Sequence, residues 1–151
     1  MSQRATVIAG IDPGPKGFAW AVLQFGAFDG WGEFVWSEVE SYLYFGHSIA
    51  VEEFAAGRIL GNASRETIKS IGRIQALYDN VLLIPRVQVA SSLGLGCRQK
   101  RGDAQINRAM CVLYPELRGR QKGLNSHTRA ACAVAHAAVG KLQANKVKQT
   151  Q

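Results

Sequence analysis

The β-branched and apolar run Thr6–Ile11 ends at Asp12-Pro13-Gly14, and a second run, Gly17–Leu23, begins three residues later. Proline fixes its own φ and glycine reaches conformations closed to other residues, so the pair forces the chain to turn. In Gly17–Leu23 the large apolar residues Phe18, Trp20 and Val22 alternate with small or apolar ones. That is the period of a strand, here one returning beside the first. Gly26–Gly32 reads as another turn region, and Glu33–Val39, with Phe34, Val35 and Trp36, as a third strand. The opening quarter of the chain is therefore expected to be an antiparallel meander.

Beyond the meander the pattern changes. Ser48–Phe54 reads as a fourth strand ending in two carboxylates, Glu52 and Glu53, followed by a Gly/Asn-bearing loop, 57–63. Ser64–Tyr78 is expected to be a helix, capped by Ser64, with Glu66 in its first turn and Ile68, Ile71, Ile74 and Leu77 as its apolar stripe. Val81–Ile84 reads as a short buried strand stopped by Pro85, and Arg86–Ser92 as a short helix. Leu93–Gly102 is a Gly-rich basic loop, Asp103–Leu113 a helix, and Arg118–Asn125 a second basic loop. Ser126 is expected to cap a last helix running to about Leu142, with Ala131, Val134, Ala135, Ala138 and Leu142 as its packed stripe. Strands in a meander followed by strands alternating with helices predict an α/β fold: a mixed five-stranded sheet flanked by helices.

With 151 residues, 47% of them hydrophobic, the chain suits one domain with a real core. Residues 1–144 are expected to form it, and the polar segment 145–151 a frayed, disordered tail. No apolar run reaches the roughly 18–20 residues that span a bilayer, so no membrane partner is expected. The N-terminus has no signal-peptide pattern. Cys97, Cys111 and Cys132 are odd in number and widely spaced, which argues against a disulfide framework or structural zinc site and for reduced thiols. The net charge of +7 is unevenly spread: residues 1–97 carry −2 and residues 98–151 carry +9. A basic half beside acidic strand ends suits a polyanion such as nucleic acid.

Asp12 lies at the C-terminal end of a predicted buried strand, where open α/β sheets place their sites, although an Asp before Pro-Gly is also ordinary turn chemistry. Glu52 and Glu53 are adjacent, so on a strand they face opposite ways, and periodicity alone does not choose between them. His127 and Ala130 lie three apart at the start of the last helix, on one face. A His-x-x-Asp pair there would offer two ligands to one metal, but Ala130 offers a methyl group. Lys100, flanked by Arg98 and Arg101, sits in the Gly-rich loop, where backbone and ammonium can approach a phosphate. Carboxylates from separate elements converging on divalent ions are what two-metal phosphodiester hydrolysis requires.

In order along the chain, these segments resemble the RuvC-type Holliday junction resolvases. Gly10-Ile11-Asp12-Pro13-Gly14 with Gly17 and Trp20 is similar to the family's opening, and Val51-Glu52-Glu53 to its Ile-Glu-Gln or Ile-Glu-Glu segment. Gly94-Leu95-Gly96 with Lys100 is similar to its Gly-x-Gly loop and downstream Lys, and His127-Thr128-Arg129-Ala130-Ala131 to its closing His-x-x-Asp-Ala motif. The matches run from about residue 7 to residue 140. The resemblance implies a ribonuclease H-like fold, a homodimer, and nicking of opposed strands at four-way DNA junctions with two Mg²⁺ or Mn²⁺ ions per site. It implies Asp12, Glu52 and His127 as metal ligands, Lys100 as the phosphate-facing cation and Glu53 as their neighbour. Arg58, Arg65, Arg98, Lys100, Arg101, Arg118, Arg120 and Lys122 would meet the DNA backbone. The dimer surface would involve loop 94–102 or the helix after it. A phage or divergent bacterial protein, in a bacterial or phage-infected host cytoplasm, is implied.

Two positions depart from the family pattern. Ala130 stands where the family has Asp: either an Asp was replaced to disable cutting or the protein is naturally degenerate, and the otherwise intact site favours replacement. The family's aromatic wedge at the junction centre follows the strand-four Glu. Phe54 is the candidate for that role but falls one position early, Ala55 being the better match, and the alternative for Phe54 is a core residue. Two other readings remain: a naturally non-catalytic protein that binds branched DNA, and a related nuclease acting on RNA·DNA hybrids or duplex ends.

Overall fold

The computed structural model describes residues 7–38, 48–53, 61–96 and 102–150. Five strands, β1 (Ile8–Pro13), β2 (Gly17–Gln24), β3 (Ala27–Val35), β4 (Ser48–Glu53) and β5 (Leu82–Pro85), form one sheet in the order β3-β2-β1-β4-β5. The β1–β2 and β2–β3 pairs are antiparallel, and β1–β4 and β4–β5 are parallel. The helices are α1 (Asn62–Leu77), α2 (Arg86–Ser92), α3 (Asp103–Leu113) and α4 (Ser126–Gln149), with 3₁₀ turns at Trp36–Glu38 and Pro115–Leu117. The mixed sheet flanked by helices is the architecture expected from the sequence.

Alternation along the strands builds two cores. Ile8, Ala19, Ala21, Leu23, Ala50 and Ile84 face α4, α2 and α3, whereas Ala9, Ile11, Phe18, Ile49 and Val51 pack with Ile74 of α1 on the other face. The long helix α4 lies directly on β1. A Cβ on Gly10 would stand 2.1 Å from the Ala131 carbonyl oxygen and 2.6 Å from the Ala135 nitrogen, so only glycine lets the two backbones come this close. The alanines of α4 serve the same approach, and Ala131, Ala133, Ala135 and Ala138 are buried. Among the described residues no helix is long and apolar enough to cross a membrane.

Several elements differ from the sequence expectation. The third strand starts at Ala27, because the turn is the two-residue Phe25-Gly26 with φ of 52° and 78°. Such a turn matches the twist of a hairpin. Gly30 and Gly32 are strand residues: a Cβ on Gly32 would lie 2.9 Å from the Trp20 indole nitrogen, so the glycines make room for the indole. Helix α1 begins at Asn62 after Gly61, with no side-chain cap; Ser64 lies inside it, and Glu66 falls beyond its first turn. Its buried face is Ser70 and Ile74 with half-buried Ile71, whereas Ile68 and Leu77 are exposed. The cap of α4 is Asn125, which accepts from the backbone of His127 and Thr128 while the Thr128 hydroxyl accepts from the Asn125 backbone. That reciprocal arrangement is a capping box. The helix continues to Gln149, past the expected end near Leu142 and through the polar residues expected to fray.

Candidate active site

The turn after β1 is held by α1. Buried Ser70 donates to the Gly14 carbonyl at 2.7 Å and accepts from the Trp36 indole at 2.8 Å, while Gly14 N–H donates to the Gly17 carbonyl. This fixes the backbone that carries Asp12. The parallel register pairs Ile11 with Val51. Asp12 and Glu52 are therefore one rung further along adjacent parallel strands and share the face covered by α4. The choice left open by periodicity is resolved by pairing. Glu52 is half-buried beside Asp12, and Glu53, the last residue of β4, is exposed at the rim of the same site.

The close seating of α4 on Gly10 brings its first turn over the same strand ends. His127 Nδ1 lies 3.1 Å from Asp12 Oδ2. A cleft of about 520 Å³ is lined by Asp12, Pro13, Glu52, Glu53, Thr67, Arg86, Asp103, Ser126, His127 and Ala130. Three separate elements of the sequence reading thus meet in one cleft: the end of β1, the end of β4, and the start of α4 with both members of its His-x-x-Ala pair. Lys100, Arg98 and Arg101 lie outside the described residues, as do Phe54 and Arg58. Arg65, Arg118, Arg120 and Lys122 are exposed, and none of them lines the cleft. Arg118 and Lys122 also have structural contacts: Arg118 Nε donates to the Cys111 carbonyl, and the Lys122 carbonyl accepts from Trp31.

Two charged cleft residues escaped the sequence reading. Arg86, the first residue of α2, reaches Glu52 Oε1 at 3.4 Å with one guanidinium nitrogen and bonds Asp103 with another. Asp103 is the first residue of α3. Both stand at helix starts around the Gly-rich loop, and Arg86 directly follows the C-terminal end of a parallel strand, which is the signal that could have singled it out.

The electrostatics follow from burial. Burial raises the Asp12 pKa, and the His127 contact and the Arg86 charge only partly oppose it. Glu52 is likewise raised by burial, with Arg86 opposing it and Asp12 adding to it. Arg86 is pulled down by its own burial but held above its ordinary value by Asp103 and Glu52. Two carboxylates that resist ionisation in the absence of a strong cation are suited to bind one. Their hard oxygens match Mg²⁺ or Mn²⁺, and a neutral imidazole can join them. Among the described residues, however, no three His, Cys, Asp or Glu side chains are gathered as a ready ligand set. Asp12 is turned to His127 and Glu52 to Arg86. The donor types fit a divalent ion, and both carboxylates already have a nitrogen partner.

No family model and no curated protein sequence matches the chain. Solved structures do. Thermus thermophilus RuvC in complex with a Holliday junction substrate superposes with a TM-score of 0.66 at 16% identity, covering 89% of this chain and 93% of that one. A second structure of Thermus thermophilus RuvC gives 0.64 at 19% identity, covering 93% and 97%. The fold is the ribonuclease H-like fold of RuvC.

Proposed function

We propose that this chain is a structure-selective endonuclease of the RuvC type that binds four-way DNA junctions and nicks opposed strands. In this version cutting is impaired by Ala130. The observation that supports the reading most is the convergence of Asp12, Glu52, His127 and Ala130 on one cleft, in a fold shared with a protein solved on a Holliday junction. A homodimer would present two such clefts to opposed strands, and the basic half of the chain would meet the phosphates.

Asp12 and Glu52 would hold Mg²⁺ or Mn²⁺, with His127 as a further donor. When bound, a divalent ion supplies an activated water and a Lewis acid for the phosphoryl oxygen. The chain's own part is positional. Ser70 and the Gly14–Gly17 bond fix the Asp12 turn, the β1–β4 register sets Glu52 beside it, and the capping box orients the first turn of α4. Lys100 would offset charge on the phosphate.

The test is cleavage of a labelled four-way junction by the Ala130 chain, which serves as wild type, and by Ala130→Asp. Binding without appreciable nicking is expected for the wild type, and at least a hundredfold faster nicking for the variant. An Ala130→Asp protein that cuts no junction in Mg²⁺ or Mn²⁺ would sink the nuclease reading. Ala130 itself favours a second reading, a naturally non-catalytic binder of branched DNA, which predicts salt-sensitive junction binding and no gain from the substitution. Competition among junction, RNA·DNA hybrid and linear duplex separates both from a nuclease on another substrate.

A further inference from the structure

We propose that Arg86 is a built-in cation of the cleft and takes the place of a second metal ion, so that the wild-type site holds one divalent ion per chain. This rests on the nuclease reading above and changes its expected ion count from two to one. The guanidinium bridges two carboxylates from different elements, Glu52 at the end of β4 and Asp103 at the start of α3. Asp12 lines the same cleft. A guanidinium carries only donors and no lone pair to give a metal. Where it sits between carboxylates, it occupies anionic oxygens that a second ion would need and repels that ion.

The arrangement of oxygens points the same way. Arg86 bonds Glu52 through Oε1, and His127 meets Asp12 through Oδ2. Among the described residues this leaves one oxygen on each carboxylate, Glu52 Oε2 and Asp12 Oδ1, without a hydrogen bond. One oxygen from each of two neighbouring strand ends suits a single ion. The charge balance agrees: the two carboxylates sheltered from solvent carry −2 when ionised, so one divalent ion beside Arg86 leaves +1, which Asp103 on Arg86 offsets. Two ions beside Arg86 would leave a charge of +3 for exposed Asp103 and Glu53 to offset. With Ala130 the helix α4 adds no further carboxylate.

Arg86 is therefore a positioning residue that sets metal stoichiometry, held in place by Asp103. The test is Mn²⁺ titration of the full chain without DNA, read by electron paramagnetic resonance. The wild type is expected to bind one Mn²⁺ with the sharp lines of an isolated ion. Arg86→Gln frees Glu52 and Asp103 and is expected to bind two, with the broadening of a pair roughly 4 Å apart. Arg86→Lys keeps a cation and stays at one. A wild type that binds a coupled pair overturns the inference and leaves the nuclease reading standing. So does an Arg86→Gln protein that is folded by circular dichroism and still binds a single ion. A wild type that binds no Mn²⁺ overturns the metal reading itself, and with it this inference.

Discussion

Replacing Gly10 by alanine tests the contact on which the whole cleft depends. The added Cβ would stand 2.1 Å from the Ala131 oxygen, 2.6 Å from the Ala135 nitrogen and 2.8 Å from the Ala135 Cβ. Ordinary contact begins at 3.4 Å, so α4 must retreat by about 1 Å or β1 must bend away. Neither of the two nearest atoms can rotate aside, because both belong to helix backbone. Overpacking of this kind costs about 1–3 kcal/mol, and backbone against backbone belongs at the upper end. Alanine also lowers the entropy of the unfolded chain, which returns about 0.4–1 kcal/mol. The net loss is about 2–3 kcal/mol, a fall in melting temperature of roughly 4–12 °C for a chain of this size.

The control is the same substitution where space is open. Gly72 lies inside α1, and nothing stands within 4 Å of an added Cβ. Gly72→Ala should therefore stabilise, by about 0.5–1 kcal/mol from helix propensity. Two Gly→Ala changes of opposite sign, read by thermal melts followed by circular dichroism, isolate the helix–strand contact from general effects of alanine. A Gly10→Ala protein that melts at or above the wild type would refute the seating of α4 on β1. The placement of His127 and Ala130 over Asp12 would fall with it.

Two further outcomes follow from the titrating groups. Burial raises the pKa of Glu52 in the folded chain, so the fold binds that proton more tightly than the unfolded state. Its stabilising share is full below the unfolded value of about 4.3 and is lost as pH rises through the raised folded value. Glu52→Gln should therefore raise the melting temperature at pH 7.5 in chelator and give no gain at pH 4; a lower melting temperature at pH 7.5 would contradict burial as the dominant cause. The Cys132 thiol is buried and pushed up to about 12, which leaves about one thiolate in 10⁴ at pH 8. Iodoacetamide at that pH should label it only after unfolding, and peptide mapping that finds native Cys132 alkylated ahead of half-buried Cys111 would show α4 to be open.

What could be read from the sequence was what local chemistry decides. That a turn follows the first strand was legible in Asp12-Pro13-Gly14, although β1 runs on through Asp12 and Pro13 and the chain turns at 14–16, and Arg86–Ser92 announced its helix. The third strand was misplaced because Gly30 and Gly32 are turn formers by type, and the indole that needs their missing side chains comes from Trp20, on another strand. The same holds for α1, where Ile68 and Leu77 fit the helical period but are exposed, and Ser70 is buried by its bonds to Gly14 and Trp36. A period gives a stripe, and the stripe that packs is chosen by partners far along the chain.

The site divides along the same line. Asp12, Glu52 and His127 could be found because each stands at the end of an element, where the sequence changes character. Periodicity left Glu52 and Glu53 equal and only the family resemblance preferred Glu52; the Ile11–Val51 pairing, which no local pattern contains, sets Glu52 beside Asp12. Arg86 and Asp103 went unread because a cation gains meaning only from the carboxylates around it. Seen in place, Arg86 also bears on Ala130. With Ala130 in the cleft, α4 adds no negative charge there, and a guanidinium between Glu52 and Asp103 already counters part of the charge of the other two elements. Removing Arg86 alone should leave carboxylates without a counter-charge, and placing Asp at position 130 alone should crowd the cleft with negative charge when no metal is present. If the two positions balance one another, Ala130→Asp should destabilise the metal-free chain more in the Arg86→Gln background than in the wild type, a coupling that a double-mutant cycle of melting temperatures in chelator would measure.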